Sequence, residues 1–125
     1  MAIRIVLADD MPELRRLVRA ALRAYGDFEV VGEATDGVEA VDLAATHRPD
    51  MVLLDIAMPN MDGLEAIPLI RQAVPDCKIV ILSGFDSEEM GATARASGAD
   101  SYLLKGLNPR ELVARLSAMD DRKAS

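Results

Sequence analysis

Apolar runs alternate with amphipathic segments along the chain. Five runs rich in aliphatic residues predict β-strands at Ile3–Ala8, Glu29–Glu33, Met51–Asp55, Lys78–Ser83 and Ser101–Leu104. They recur with a period of about 25 residues, which is typical of repeated strand–helix units. The first, third and fourth runs are almost continuously aliphatic, as expected of strands buried on both faces. The pattern therefore predicts an α/β fold, in which helices cover both faces of a doubly wound parallel sheet.

The start of each predicted helix carries a variant of the capping box, an aspartate or asparagine followed three residues later by glutamate. The pairs are Asp10/Glu13, Asp36/Glu39, Asp62/Glu65, Asp86/Glu89 and Asn108/Glu111. They predict five helices. Pro12 and Pro109 suit first helical turns, where a missing N–H has no cost. Gly26 and Gly98 are placed to end helices in a left-handed conformation.

The first predicted helix has an apolar face at helical spacing. The residues of this face are Leu14, Leu17, Val18, Ala21, Leu22 and Tyr25. We expect the face to pack on the sheet. The arginines between its members are Arg15, Arg16, Arg19 and Arg23. We expect these arginines to face water.

Polar side chains of different chemical kinds follow or end four of the predicted strands. They are Asp9, Asp10, Asp55, Ser83 and Lys105. Because the carboxyl ends of parallel strands share one sheet edge, where ligands of such folds bind, we expect these side chains to converge. Carboxylates are ligands for a hard cation, and a lysine can hold phosphoryl oxygens. The pattern therefore indicates a metal-assisted phosphoryl site.

Length and charge limit the class of protein. A chain of 125 residues fits one domain, and we expect residues 1–119 to form it and residues 120–125 to be a tail or the start of a linker. A net charge of −7 argues against direct nucleic-acid binding by this domain. The apolar start contains Arg4 and soon meets two aspartates, so we expect no signal peptide or membrane span. The lone Cys77 fits a buried thiol in a reducing cytoplasm.

Two segments carry a family resemblance together with the strand-end residues. LLDIAMPNMDG (53–63) is similar to the phosphoacceptor loop of receiver domains from bacterial two-component response regulators. EVVGEATDGVEAV (29–41) resembles receivers of the LuxR/NarL type, which usually precede a helix-turn-helix domain. The resemblance covers nearly the whole chain. It implies a flavodoxin-like fold with strand order 2-1-3-4-5 and a phosphoacceptor domain, rather than an enzyme, that assists its own phosphorylation and dephosphorylation.

The resemblance also implies a role for each site residue. Asp55 would accept the phosphoryl group, and Mg²⁺ would be held by Asp10, Asp55 and the backbone carbonyl of Ala57, with Asp9 acting mainly through water. Lys105 would contact a phosphoryl oxygen. Ser83 would hydrogen-bond the phosphoryl group, and Tyr102 would turn inward in response. These two residues would form the switch.

The implied partners are a sensor histidine kinase and an effector domain or second copy of the chain. The effector or second copy would contact the fourth helix, fifth strand and fifth helix. Gly106 stands where most receivers have a cis proline, and we expect a trans peptide because a cis bond without proline costs about 2.5–4 kcal/mol. Ala57 cannot shield the site, and we expect Phe85 to cover it instead.

Three other functions compete with phosphorylation. A phosphatase of the haloacid dehalogenase type needs a second acid two residues after the nucleophile, where Ala57 stands. A nucleotide- or flavin-binding module needs a glycine- or hydroxyl-rich loop after the first strand, and ADDMPEL supplies none. The remaining alternative is a receiver-like interaction module that phosphorylation no longer controls.

Overall fold

The computed structural model describes residues 2–84 and 88–120, in which five strands and five helices alternate. The strands are β1 (Ile3–Ala8), β2 (Phe28–Ala34), β3 (Met51–Asp55), β4 (Lys78–Ser83) and β5 (Ser101–Leu104). The helices are α1 (Pro12–Tyr25), α2 (Gly37–His47), α3 (Gly63–Ala73), α4 (Glu88–Ser97) and α5 (Pro109–Ala118). Four strands have the predicted bounds, and β2 is one residue longer at each end. None of the helices in the described ranges is long and apolar enough to cross a bilayer.

The strands form one parallel sheet in the order β2-β1-β3-β4-β5. This confirms the predicted fold class and strand order. The chain moves outward in one direction from β1 to β2 and in the other direction from β3 to β5, so the strand order reverses between β1 and β3. A crevice therefore opens beyond the carboxyl ends of these two strands. The acidic residues that follow β1 and end β3 lie at this crevice.

Each face of the sheet is covered by a separate apolar core. Val6, Val52 and Leu54 pack with residues of α2, α3 and α4. Leu7 and Leu53 lie on the opposite face and pack with residues of α1 and α5. Because side chains alternate between the faces of a strand, a continuous aliphatic run fills both cores. The expected burial of β1, β3 and β4 on both faces is confirmed.

Side-chain caps begin three of the helices as the sequence predicts. Asp36, Asp62 and Asn108 accept hydrogen bonds from the backbone N–H of the glutamate three residues later, and Asp62 with Glu65 forms a complete capping box. The prediction that Asp10 caps α1 is wrong, because Met11 occupies that position without a side-chain cap. Asp9 Oδ1 accepts from Met11 N at 2.9 Å instead. Asp86 lies outside the described residues.

The helix ends differ from the prediction at one glycine. Gly26 has an extended backbone (φ −147°), so the predicted left-handed end is wrong. Glycine suits this position for another reason, since an added Cβ would lie 2.7 Å from Val113 Cγ1. Gly98 does have a positive φ, of 119°. A left-handed residue that the sequence did not indicate, Arg48 (φ 47°), follows α2.

The buried face of α1 is narrower than its sequence pattern. Val18, Ala21 and Leu22 are buried, but the side chains of Leu17 and Tyr25 are exposed, so their predicted packing on the sheet is wrong. The apolar stripe is wider than the contact that one helix makes with the twisted sheet. Arg15 was expected to face water, but only 16% of its side chain is exposed.

Candidate functional site

Three carboxylates converge at the crevice between β1 and β3. Asp9 and Asp55 are buried, whereas Asp10 is exposed to solvent. One carboxylate oxygen from each residue lies within 4.8 Å of the others. Neighbouring β1 and β3 bring the acids together, since Ala8 pairs with Leu54 directly before Asp9 and Asp55. The predicted meeting of these acids is therefore confirmed.

Lys105 reaches the same cluster from the other side. Its backbone N–H donates to the Ser83 carbonyl at 2.8 Å, which continues the β4–β5 pairing past Leu104. The ammonium then lies 3.1 Å from Asp55 Oδ1 and 3.5 Å from Asp9 Oδ2. The peptide before Gly106 is trans, as expected, because the described residues contain no cis peptide. Lys105 thus contacts both acids without a cis proline after it.

The charged groups of this cluster shift one another's pKa. Burial raises the pKa of the Asp55 carboxyl, and the charge of Asp9 adds to this effect. The hydrogen bond from Lys105 and a backbone hydrogen bond from Ala57 act against it without cancelling it. Burial by itself would lower the pKa of Lys105, but the hydrogen bond to Asp55 and the two nearby carboxylates raise it above its ordinary value. Lys105 therefore stays positively charged near neutral pH.

The loop after Asp55 is held in place at several points. Gly63 N donates to Ile56 O at 2.9 Å, and an added Cβ at Gly63 would collide with the Asp55 carbonyl oxygen. Asn60 has a positive φ of 65° and donates from Nδ2 to Asp36 Oδ2 at 2.7 Å. Asp36 thus caps α2 and also anchors the loop that carries Asp55. The backbone carbonyl of Ala57 belongs to this loop.

The two predicted switch residues lie on neighbouring strands. Ser83 ends β4, is 1% exposed and pairs in register with Leu104. Tyr102 is half-buried on β5, and its hydroxyl lies 3.9 Å from Met90 Sδ on α4. Tyr102 also lines a groove between α4 and α5. Phe85, which was expected to cover the site, lies outside the described residues.

Arg15 contacts the site although the helical pattern placed it in water. Its Nη1 donates to the Asp9 carbonyl at 2.5 Å, and its Nε donates to Glu33 Oε1 at 3.3 Å. Periodicity alone could not reveal these contacts. A sequence signal was nevertheless present, because the predicted second strand ends at Glu33 and Arg15 lies one turn into the helix that follows the acidic pair.

The donor set suits a hard divalent cation. Three carboxylate oxygens within a few ångströms match the ligands that magnesium takes, and the exposure of Asp10 leaves room for the waters that this ion retains. Asp55 can in addition act as a nucleophile, since carboxylates form covalent phosphoryl intermediates. The adjacent ammonium of Lys105 can stabilise negative charge on a phosphoryl group. The arrangement is suited to phosphoryl transfer onto an aspartate.

Comparisons with known proteins agree with this geometry. A family model described as the response regulator receiver domain matches residues 5–117. The uncharacterized transcriptional regulatory protein YxjL of Bacillus subtilis is 43% identical over 93% of this chain and 53% of its own length. The nitrate/nitrite response regulator NarL of Escherichia coli K12 is 41% identical over 90% of this chain and 52% of its own length. The chain thus spans about half the length of these curated relatives.

Solved structures give the same result. The signal receiver domain of NarL from Mycobacterium tuberculosis has a TM-score of 0.91 and 34% identity, with 96% of this chain and 97% of that chain covered. A DNA-binding response regulator of the LuxR family from Staphylococcus aureus has a TM-score of 0.88 and 30% identity, with 94% and 98% covered. The chain therefore belongs to the family of response regulator receiver domains, of the LuxR/NarL type.

Proposed function

We propose that this domain accepts a phosphoryl group on Asp55 from a phosphohistidine of a sensor histidine kinase. The observation that carries the proposal is the placement of the Lys105 ammonium against both Asp55 and Asp9. A buried acid paired with a lysine, beside two further acids at a sheet edge, supports a nucleophile with an adjacent cation site. The match to the receiver family supports the same function.

Phosphoryl transfer would begin with attack of an Asp55 carboxylate oxygen on phosphorus. The new oxygen–phosphorus bond forms as the phosphorus–nitrogen bond to the kinase histidine breaks, and the electron pair stays on the imidazole. Lys105 would move its ammonium from the carboxylate to a phosphoryl oxygen. Asp10, Asp55 and the Ala57 carbonyl would hold magnesium, with Asp9 acting through water, and the bound cation would supply charge neutralisation at the phosphoryl oxygens. The same machinery would assist dephosphorylation.

Ser83 and Tyr102 would convert phosphorylation into a change of surface. Ser83 ends β4, and its backbone carbonyl accepts a hydrogen bond from Lys105 N. The Ser83 hydroxyl would hydrogen-bond the phosphoryl group. Tyr102 would then turn further inward and alter the groove between α4 and α5. The half-buried position of Tyr102 beside α4 supports this role, because a small rotation of its side chain would change the surface of the groove.

The output would be an effector domain or a second copy that contacts α4, β5 and α5. The curated relatives YxjL and NarL are about twice as long as the matched region, which supports an effector beyond a receiver at residues 1–119. Residues 120–125 would then be a tail or the start of a linker. A cytoplasmic location stays a prediction, supported by a single buried thiol that fits a reducing compartment. No observation favours an interaction module that phosphorylation does not control.

Incubation with acetyl phosphate tests this function. We expect the intact mass to rise by one phosphoryl group with magnesium present and to stay unchanged with a chelator. Hydroxylamine should remove the added group, since it cleaves acyl phosphates. An unlabelled protein at saturating magnesium would contradict the proposal and favour the interaction module.

A further inference from the structure

Arg15 joins the acidic loop to the edge of the sheet. Its Nη1 donates to the carbonyl of Asp9 at 2.5 Å, and its Nε donates to Glu33 Oε1 at 3.3 Å. The side chain is 16% exposed and lines a small cavity together with Asp9 and Asp55. Arg15 is therefore a partly buried neighbour of the phosphoryl site, and within the described residues its hydrogen bonds go to Glu33 and to the Asp9 carbonyl, not to a carboxylate of the cluster.

The carbonyl that Arg15 holds belongs to the peptide between Asp9 and Asp10. Asp9 N is already fixed by a hydrogen bond to Ala34 O at 3.0 Å, and Asp9 Oδ1 accepts from Met11 N at 2.9 Å. The hydrogen bond from Arg15 adds a constraint on the plane of the peptide. The orientation of that peptide plane determines where the backbone places Asp10. The side chain of Asp10 is exposed and makes no hydrogen bond or ion pair within residues 2–84 and 88–120 that could hold it in place.

Glu33 fixes the orientation of the guanidinium. Its two carboxylate oxygens divide between two arginines, Oε1 accepting from Arg15 and Oε2 accepting from Arg19 Nη1 at 2.6 Å. Glu33 lies on β2 opposite Leu7 of β1, so the anchor is part of the sheet. A planar guanidinium can bond a carboxylate and a carbonyl at once, which a lysine ammonium does with less geometric definition.

We propose that Arg15 is a positioning residue that sets the Asp9–Asp10 peptide and thereby the magnesium affinity of the site. The inference depends on the proposed function, because it concerns the same cation site. Groups that orient metal ligands in this way commonly alter metal affinity about 10–100-fold when they are removed. Long-range electrostatics has the opposite sign, since the loss of a positive charge near an acidic site should strengthen cation binding. The two explanations therefore predict opposite results.

The test compares Arg15→Gln with Arg19→Gln. Arg19 lies on the same helix as Arg15 and bonds the same glutamate, Glu33. In the described part of the chain it makes no hydrogen bond or ion pair with Asp9, and 41% of its side chain is exposed. Magnesium binding is measured by titration of backbone amide NMR shifts, without any phosphoryl donor. We expect Arg15→Gln to weaken magnesium binding about tenfold or more. Arg19→Gln should stay within about twofold of the parent protein, as for an exposed ion pair.

A second readout separates positioning from catalysis. The rate of labelling by acetyl phosphate should fall in Arg15→Gln at limiting magnesium and return to the parent rate at saturating magnesium. Glu33→Gln should weaken magnesium binding less than Arg15→Gln does, because Arg15 can still donate its hydrogen bond to the Asp9 carbonyl. If Arg15→Gln fails to fold, Arg15→Lys replaces it, and we expect it to lose more magnesium affinity than the Arg19→Gln control does.

Specific outcomes would overturn the inference. Unchanged or tighter magnesium binding in Arg15→Gln, or in Arg15→Lys where that variant replaces it, would show that the carbonyl contact does not set affinity. Equal losses of magnesium affinity in the Arg15 and Arg19 variants would show that the hydrogen bond to the Asp9 carbonyl, which Arg15 makes, is not what sets the affinity. A labelling rate that stays low at saturating magnesium would also contradict a positioning role. Failure of the parent protein to label, although it binds magnesium, would instead count against the proposed function and leave the binding comparison to decide the role of Arg15.

Discussion

The ammonium of Lys105 lies 3.1 Å from Asp55 Oδ1. Asp55 ends β3, and Lys105 follows the last residue of β5. The backbone bond from Lys105 N to Ser83 O fixes the stem of this side chain, so its reach depends on the sheet. Burial and the charge of Asp9 raise the pKa of Asp55, which means that a second carboxylate beside it is costly without a cation. The lysine compensates for part of this cost.

Asp55→Asn should abolish labelling by acetyl phosphate, because an amide oxygen is a poor nucleophile. Asp42→Asn is the matched control, since Asp42 is an exposed aspartate on α2 away from the site. Intact mass measures both variants. Full labelling of Asp55→Asn would show that another residue accepts the phosphoryl group.

Asp10→Ala should weaken magnesium binding while the metal-free protein keeps its stability. Because Asp10 does not cap α1, the substitution should change the free energy of unfolding by no more than about 0.5 kcal/mol. Relief of repulsion among the acids would add stability. Urea unfolding without metal measures the stability of the variant, and a magnesium titration measures its affinity for the cation. Unchanged magnesium binding would contradict the ligand assignment.

Two glycines near the site should differ in how strongly substitution by alanine destabilises the protein. Gly63→Ala should destabilise the protein by about 1–3 kcal/mol, because its Cβ would collide with the Asp55 carbonyl oxygen. Gly106→Ala meets nothing within 4 Å and should change stability by less than about 1 kcal/mol, in either direction. Urea unfolding of both variants tests the contrast. Equal losses would show that steric contact at Asp55 is not what requires glycine at residue 63.

Asp36 should stabilise the fold in a pH-dependent way. The backbone N–H of Glu39 and the side-chain amide of Asn60 lower the pKa of Asp36 below its usual 3.8. A lowered carboxyl pKa contributes stability that is present above 3.8 and is lost as the pH falls through the folded-state value. Asp36→Asn should therefore be less stable than the parent protein at pH 7, and the difference should shrink in acid. A difference that does not change with pH would contradict this.

Cys77 should resist alkylation in the folded protein. Burial raises the pKa of its thiol to about 12, so the nucleophilic thiolate is scarce at pH 8. Labelling by iodoacetamide should be slow in the native state and fast in denaturant. A raised pKa contributes stability that is present below 9.0 and lost as the pH rises toward 12, and Cys77→Ala should remove this dependence. Rapid native labelling would show that the thiol is accessible.

The sequence by itself determined the strands, the strand-end acids and three helix caps. Such features depend on local periodicity and on side chains that bond a backbone three residues away, as Asp62 does with Glu65. The convergence of Asp9, Asp55 and Lys105 could also be predicted, because parallel strands of one sheet share a carboxyl edge.

Only the tertiary structure decided the features that depend on what lies across from a residue. Asp10 does not cap α1, because the helix begins at Pro12 and Met11 takes the N-cap position. Gly26 is glycine because Val113 on α5 leaves no space for a Cβ, and not because of a positive φ. On α1 the apolar Leu17 is exposed, whereas the charged Arg15 donates a hydrogen bond to the Asp9 carbonyl. Helical periodicity records the direction of each side chain but not the partner that the fold places there, so contacts between distant segments could not be predicted from the chain alone.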